Sequence, residues 1–341
     1  PDLTWEKTAK TNVGIDFGLL NERITGTVDW YRENTYDLLL RRTLPVTTGY
    51  SSVLENVGKT RNTGVEIALS TINLEDWHGL RWEMDVNWTT NKNEIVELVV
   101  SDTIGCPANA RPCDLNNGWF VGQPVNVGGT APRDGDANRR VWYDYKFLGI
   151  WQEHEAAEAA KYGRQPGHIK VADINGDGAI NASDRVIIGN TYPKWTANIF
   201  NRFAWRDFDL SIQANIRWGY TIFNTYTPDL SGRYGQIATD YWTPEKPSNK
   251  NPAPNLAGTP VDYGDTRGYL DGSHWRIRNI QLGWRMPQGL ARQFGASRAR
   301  LYATVTEPYV AYEYDYFDPE NGRPIGAPLF RTFLIGANVV F

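Results

Sequence analysis

The sequence predicts an all-β fold: a transmembrane antiparallel β-barrel wall with long connections at one rim. Three observations carry this reading. Apolar and polar residues alternate in runs of about 9–11 residues, the length a tilted strand needs to cross a bilayer. Tryptophan recurs at the ends of the apolar faces, as Trp82, Trp88, Trp205, Trp218 and Trp284 show, where membrane barrels carry aromatic girdles. Connections alternate between short and long, and the last run closes on Phe341. A soluble sandwich or propeller would also alternate; the girdles and the loop rhythm favour the membrane.

Strands are expected near 8–19, 23–40, 61–72, 80–90, 194–205, 207–218, 274–286, 298–307 and 329–341. In "FDLSIQANIRW", Phe208, Leu210, Ile212, Ala214, Ile216 and Trp218 share one face, and Asp209, Ser211, Gln213, Asn215 and Arg217 the other. Leu80, Trp82, Met84, Val86 and Trp88 form a second such face, Ile24, Gly26, Val28 and Trp30 a third, and Val65, Ile67 and Leu69 a fourth. Phe333, Ile335, Ala337, Val339 and Phe341 line up in the last strand. If Phe341 is periplasmic, "LLNE", "NLEDWHG", "WRD" and "PQGLARQFGAS" are periplasmic turns, and 43–60, 91–193, 219–273 and 308–328 are external. The run "RVWYDYKFLGIW" (140–151) either lies within the external region or crosses together with 119–128. The wall then has nine strands or eleven. Loops this long suit a much larger barrel, of the 22-stranded plugged class, so the chain reads as one segment of a longer polypeptide.

Composition narrows the function. Of 341 residues 13% are aromatic, with 14 Trp and 18 Tyr, and the net charge is −4. No basic block exists to meet nucleic acid. Mean hydropathy is −0.50, and no apolar run approaches the roughly 18 residues of a membrane helix. The histidines (His78, His154, His168, His274) are scattered. No P-loop, HExxH or nucleophile elbow is present, so the chain does not read as an enzyme.

Cys106 and Cys113, with six residues between them in "CPANARPC", are expected to form a disulfide in an oxidising compartment. The alternative is two incidental thiols, since the spacing matches no zinc pattern. "DINGDGAINASD" (173–184) has the layout of a calcium loop. Asp173, Asn175 and Asp177 offer side-chain oxygens, Ala179 its carbonyl, Asn181 a direct or water-mediated oxygen, and Asp184 replaces the usual Glu at position 12. The alternative is a metal-free turn whose carboxylates cap backbone N–H groups. With calcium, the loop would be a structural staple. In "EPYVAYEYDYFDPENG", Tyr309, Tyr312, Tyr314 and Tyr316 with Asp315 and Asp318 form the candidate ligand surface, rings to stack on sugars and carboxylates to accept hydroxyls. The same rings could instead pack on a partner protein.

Several motifs in order then resemble one family. "PDLTWEKT", "RTLPVTTGYSSVLENVGKTRNTGVEI", "DINGDGAINASDRVIIGNTYPKW", "FDLSIQANIRWG", "DYWTPEKPSNKNPAP", "WRIRNIQLGWRMPQGLARQFGASRARLYATV" and the terminal "VVF" are similar to the C-terminal half of SusC-type TonB-dependent outer-membrane transporters. The resemblance makes 1–341 the C-terminal part of the barrel, with 91–193 a large extracellular insert holding the cysteines and the calcium-like loop. The insert around 102–140 and the loop after Pro308 depart from it. It implies energy-coupled import of glycan oligomers, or of peptides or siderophores, with a SusD-type surface lipoprotein as lid and the TonB complex as energy source. The barrel would lie in the outer-membrane lipid of a Gram-negative cell, with plug and TonB box elsewhere in the polypeptide. A rival from another class is a secreted calcium-binding β-protein that holds or cuts polysaccharide. A third is a passive porin or an adhesin.

Overall fold

The computed structural model describes residues 3–44, 46–99, 106, 112–115, 117–125, 141–223, 240–254, 262–313, 318–320 and 330–341. Among these, one antiparallel sheet of nine strands forms the wall. Its strands are β1 (Lys7–Leu19), β2 (Ile24–Tyr36), β3 (Gly58–Trp77), β4 (Leu80–Leu98), β5 (Trp195–Trp205), β6 (Phe208–Trp218), β7 (His274–Arg285), β8 (Arg298–Tyr312) and β9 (Thr332–Val340). Each pairs with its sequence neighbour, so the sheet is a meander.

Register joins the apolar faces strand by strand. Ile15 faces Val28, Val28 faces Ile67, and Ile67 faces Trp88. Trp88 faces Ala197, Ala197 faces Ile216, and Ile216 faces Trp275. Many of these side chains are open to the surroundings, Ile15 at 65% and Ile335 at 87%. A predominantly apolar face across nine strands, unburied by any other layer, is the lipid side of a membrane wall. Aromatics bound it at both rims. Trp195 stacks on Trp218, ring centroids 6.2 Å apart, and Trp82 on Phe203 at 5.6 Å. The opposite face is polar and ionic. Arg202 bonds Glu83 and Asp85, Ser70 bonds Asp85, and Arg300 bonds Asp209.

Short turns share one rim. Residues Leu20, Asn21 and Glu22 all take left-handed φ of 55–63°, which lets β1 reverse into β2 within four residues. Glycines on the wall sit opposite aromatics: Phe17 across from Gly26, Tyr31 from Gly64, and Tyr302 from Gly336. A Cβ at Gly64 would lie 2.5 Å from the Tyr31 ring and one at Gly336 2.3 Å from that of Tyr302. The ring covers the strand that has no side chain, a device that pins register.

Two expectations change in detail. β3 and β4 are longer than the sequence suggests, 20 and 19 residues, and at the end away from their turn they continue past the wall as a paired arm, where Ile95 and Leu98 pack with Val57 and Trp119 beside polar pairs. There Lys59 bonds Glu97 and Asn93 bonds Asn62, cross-strand pairs the hydrophobic pattern cannot reveal. Residues 141–151 do not cross with the wall. Val141–Tyr145 pairs with Arg185–Asn190 and Phe147–Ile150 with Ile169–Val171, so the nine-strand solution holds among the described residues.

Candidate long-loop rim

All long connections leave the wall at the rim opposite the short turns, and two of them share a core. From the β4–β5 connection come Ile150, Ile169 and Val171; from the β6–β7 connection comes Trp242, with Ala253 and Tyr263 packed alongside. A second joint is aromatic. Trp142 lies 5.6 Å from Phe223 and 5.8 Å from Tyr269, which are 5.0 Å from each other. The Tyr269 hydroxyl donates to the buried Asp144 at 2.9 Å, and the Trp142 ring N–H to the Thr221 carbonyl. Backbones come so close here that a Cβ on Gly189 would sit 2.1 Å from the Thr221 hydroxyl. The two connections therefore form one packed body above the wall.

The expected disulfide is present. Cys106 and Cys113 are bonded, with Cα atoms 5.8 Å apart. Both are buried with Phe120 and Val141. The next residue, Asp114, accepts from Arg42, tying this segment to the hairpin Leu39–Thr43/Ser52–Asn56. Changing both cysteines to serine is expected to lower local stability by roughly 2–3 kcal/mol. Faster proteolysis between β4 and β5, with the wall's heat-modifiable electrophoretic mobility unchanged, is the readout.

The calcium-like loop is a compact chain of side-chain-to-backbone bonds. Asp173 accepts from the N–H of Gly176 at 2.7 Å and of Gly178 at 2.9 Å. Donation from Gly178, then Gly176 and the Tyr162 hydroxyl, holds the Asp173 carboxyl below its usual range despite partial desolvation. Asn175 accepts from Asp177 N–H, Asp177 from Ala179 N–H, and Asn181 from Ser183 N–H. Asp184 is fully buried. Its two oxygens accept from the N–H groups of Ile174 (2.9 Å), Asn175 (3.5 Å) and Asn181 (2.8 Å), so it laces the two ends of the loop together. A carboxylate has about four acceptor sites. Asn175, Asp177 and the Ala179 carbonyl therefore keep lone pairs for a cation, whereas Asp173 and Asp184, with three donors each, have about one acceptor site left. Among the described residues no three His, Cys, Asp or Glu side chains converge on a metal position, so a cation here would depend on amide and carbonyl oxygens as much as on charge.

The tyrosine candidates separate. Tyr309 faces Ile277 across the ladder and packs its ring 5.1 Å from Trp275, half exposed on the apolar side. It is a girdle residue on the lipid face, which corrects its assignment as a ligand contact. Tyr312 pairs with His274 on the polar side. Asp318 accepts from Arg276 at 2.5 Å. Tyr314, Asp315 and Tyr316 lie outside the described residues.

Sequence reasoning missed the main polar centre of this rim. β7 carries one extra residue, Arg278, against β6, since Gln213–Asn279 and Ala214–Ile277 pair there; on the other side Thr306–Asn279 and Tyr309–Ile277 pair, so Arg278 lies opposite two residues of β8, Glu307 and Pro308. Glu307, facing that bulge, takes φ 50°, a strained value for a non-glycine residue. The bulge adds Arg278 to the polar face beside Arg276, and Glu307 bonds both guanidinium groups, at 2.7 and 2.9 Å.

No family model matches the chain. It is 28% identical over 367 residues to TonB-dependent receptor P26 of Formosa agariphila, covering all of this chain and 35% of that protein. It is 27% identical over 350 residues to TonB-dependent receptor SusC of Bacteroides thetaiotaomicron, covering all of this chain and 32% of that protein. The chain thus spans about a third of the length of the curated relatives it matches. Among solved structures it superposes on that of the RagAB peptide transporter with a TM-score of 0.72 at 22% identity, covering 99% of this chain and 36% of the other. The "open-open" state of the RagAB peptide importer gives the same TM-score and identity, with 100% and 35% coverage.

Proposed function

We propose that this chain, a relative of the SusC-type TonB-dependent receptors, supplies the C-terminal part of the barrel of an energy-coupled importer of oligomeric nutrients in the outer membrane. The observation that carries the reading is the nine-stranded wall with one predominantly apolar face, matched in sequence along its whole length to TonB-dependent receptors. Its polar face lines the passage. The long-loop rim, including the insert 91–193, faces outward and receives cargo beneath a SusD-type lipoprotein. The TonB complex powers release through the remainder of the polypeptide. Glycan oligomers are the leading cargo class and peptides the second; siderophores are the third.

The test is uptake of labelled oligosaccharides and peptides by cells carrying the full-length gene product, with and without a functional TonB complex. Uptake that stops without TonB is the expected result. Uptake that continues after the proton-motive force is dissipated would assign a passive porin instead.

We also assign Asp173–Asp184 as a structural calcium staple. Asp173, Asn175, Asp177, the Ala179 carbonyl and Asn181 would hold the ion, with Asp184 closing the loop behind them. With so much of the oxygen set uncharged, affinity of about 10⁻⁴–10⁻³ M is expected, as in extracellular modules. Calcium should protect the loop from proteolysis at millimolar concentration; cleavage indifferent to chelator would overturn the assignment.

A further inference from the structure

The polar centre at the start of β7 is a balanced cluster of charges, and its balance depends on a loop. Arg276 is 1% exposed. It bonds Glu307 at 2.7 Å and Asp318 at 2.5 Å, and its Nε lies 3.5 Å from Glu320. Arg278 bonds Glu307 and holds Glu320 with one Nη donating to both carboxylate oxygens, at 2.5 and 2.7 Å. Arg217, on the neighbouring strand β6, is 3.5 Å from Glu320. His274, also buried, directs its Nδ1 at the Gly272 carbonyl at 2.9 Å. The same nitrogen lies 3.2 Å from the Tyr220 hydroxyl, and Nε2 faces Glu320 at 3.6 Å. Among the described residues, neither His274 Nε2 nor Arg276 Nε has a hydrogen-bond partner.

Two of the three carboxylates in this cluster, Asp318 and Glu320, lie on the connection between β8 and β9, whereas the three arginines and Glu307 belong to the wall. Lifting Asp318 and Glu320 away would leave three guanidinium groups facing one carboxylate. Arginine's planar fork is suited to carboxylate, and the strength of such bonds rises away from water. Arg217 and Arg278 keep an open side, 45% and 27% exposed, so a ligand could reach them as the loop's acids withdraw.

We propose that Arg217, Arg276 and Arg278 form a receptor site for carboxylate-bearing oligomers, and that Asp318 and Glu320 occupy it as a displaceable internal ligand. The site rests on the import reading above and narrows its cargo to polymers with repeated carboxylates, such as oligouronates or acidic peptides. Burial alone would raise the Glu320 carboxyl; the neighbouring His274, the bonded Arg278 and the Arg276 charge outweigh it and hold the group at about 2. It is therefore ionised at any ordinary external pH, and cargo must compete with it as one anion against another.

The experiment uses the full-length protein in detergent, with fluorescent hexagalacturonate, hexaglutamate and uncharged maltohexaose as probes. Asp318→Asn combined with Glu320→Gln removes the internal charges and keeps the shape. This variant is expected to bind one or both carboxylate probes about tenfold more tightly than wild type, roughly the scale of one charge-assisted bond. The gain should fall with salt, vanish when Arg278→Gln is added, and leave maltohexaose unchanged. Which probe gains separates uronate from peptide. In wild type, the winning probe should speed protease cleavage between β8 and β9 as it displaces the acids, a readout that needs no variant. No gain for either carboxylate probe, together with no ligand-dependent cleavage in wild type, overturns the proposal. Binding in detergent needs no TonB, so that failure leaves the import reading standing. Conversely, TonB-independent uptake would sink the import reading without touching the binding result.

Discussion

Replacing Ile212 with arginine is expected to destabilise the folded wall by about 2–4 kcal/mol, the cost of a cation near the bilayer midplane. Ile212 stands midway along β6, facing Asn201 on β5 and Ile280 on β7, with no layer behind it. Its sequence neighbour Ser211 points to the polar side, opposite Arg202 and Gln281. Arginine there meets like charge and water but no hydrocarbon, and the cost should be a small fraction of that at 212. Urea titration of the full-length protein in lipid vesicles, read by heat-modifiable mobility, measures both. Equal losses at the two positions would mean that the apolar face does not meet lipid.

The second large effect is at Asp184. Alanine there removes both oxygens that close the loop and leaves the N–H groups of Ile174, Asn175 and Asn181 without them. Each buried donor so stranded costs about 1–3 kcal/mol. The Asn175 bond is long and its donor can turn to water, so a local loss of about 3 kcal/mol is expected. Asn at the same position keeps one acceptor and should lose less. Hydrogen exchange at the amides of Ile174 and Asn181 reads the change directly. Unaltered protection in the alanine variant would show that some other contact closes the loop.

Much of this architecture was legible because a strand repeats every two residues. Faces such as Phe208–Trp218 and Leu80–Trp88 needed only that period, and their cross-strand register followed. The bulge at Arg278 was also written in the chain, as a slip. Apolar residues in β7 step from Trp275 to Ile277, then jump three to Ile280, and in β8 they jump four from Val305 to Tyr309. Ending the strand at 307 placed Tyr309 in the external connection, whereas β8 runs on to Tyr312 and carries it on the apolar side. The arginine centre itself was beyond such reading, because Arg276 and Glu320 are 44 positions apart and meet only through the folded connection. The same holds for Asp184. Its residue type suggested a cation ligand with a short reach, but its burial shows a carboxylate aimed mainly at backbone.

An odd number of strands has a geometric consequence. In a meander of nine, β1 and β9 both run toward the short-turn rim, and neither outer edge has a partner among the described residues. All-antiparallel closure therefore calls for an odd number of additional strands between them. A second copy of this wall cannot supply it. Related by an axis along the membrane normal, two copies would bring β9 alongside a parallel β1. Related by an axis in the membrane plane, they would place their loop-bearing rims on opposite sides of the bilayer. The nine-stranded wall is thus barred by strand direction, and not by strand number, from completing itself by pairing with its twin, so its edges are selective for a complement that starts and ends on strands running the other way.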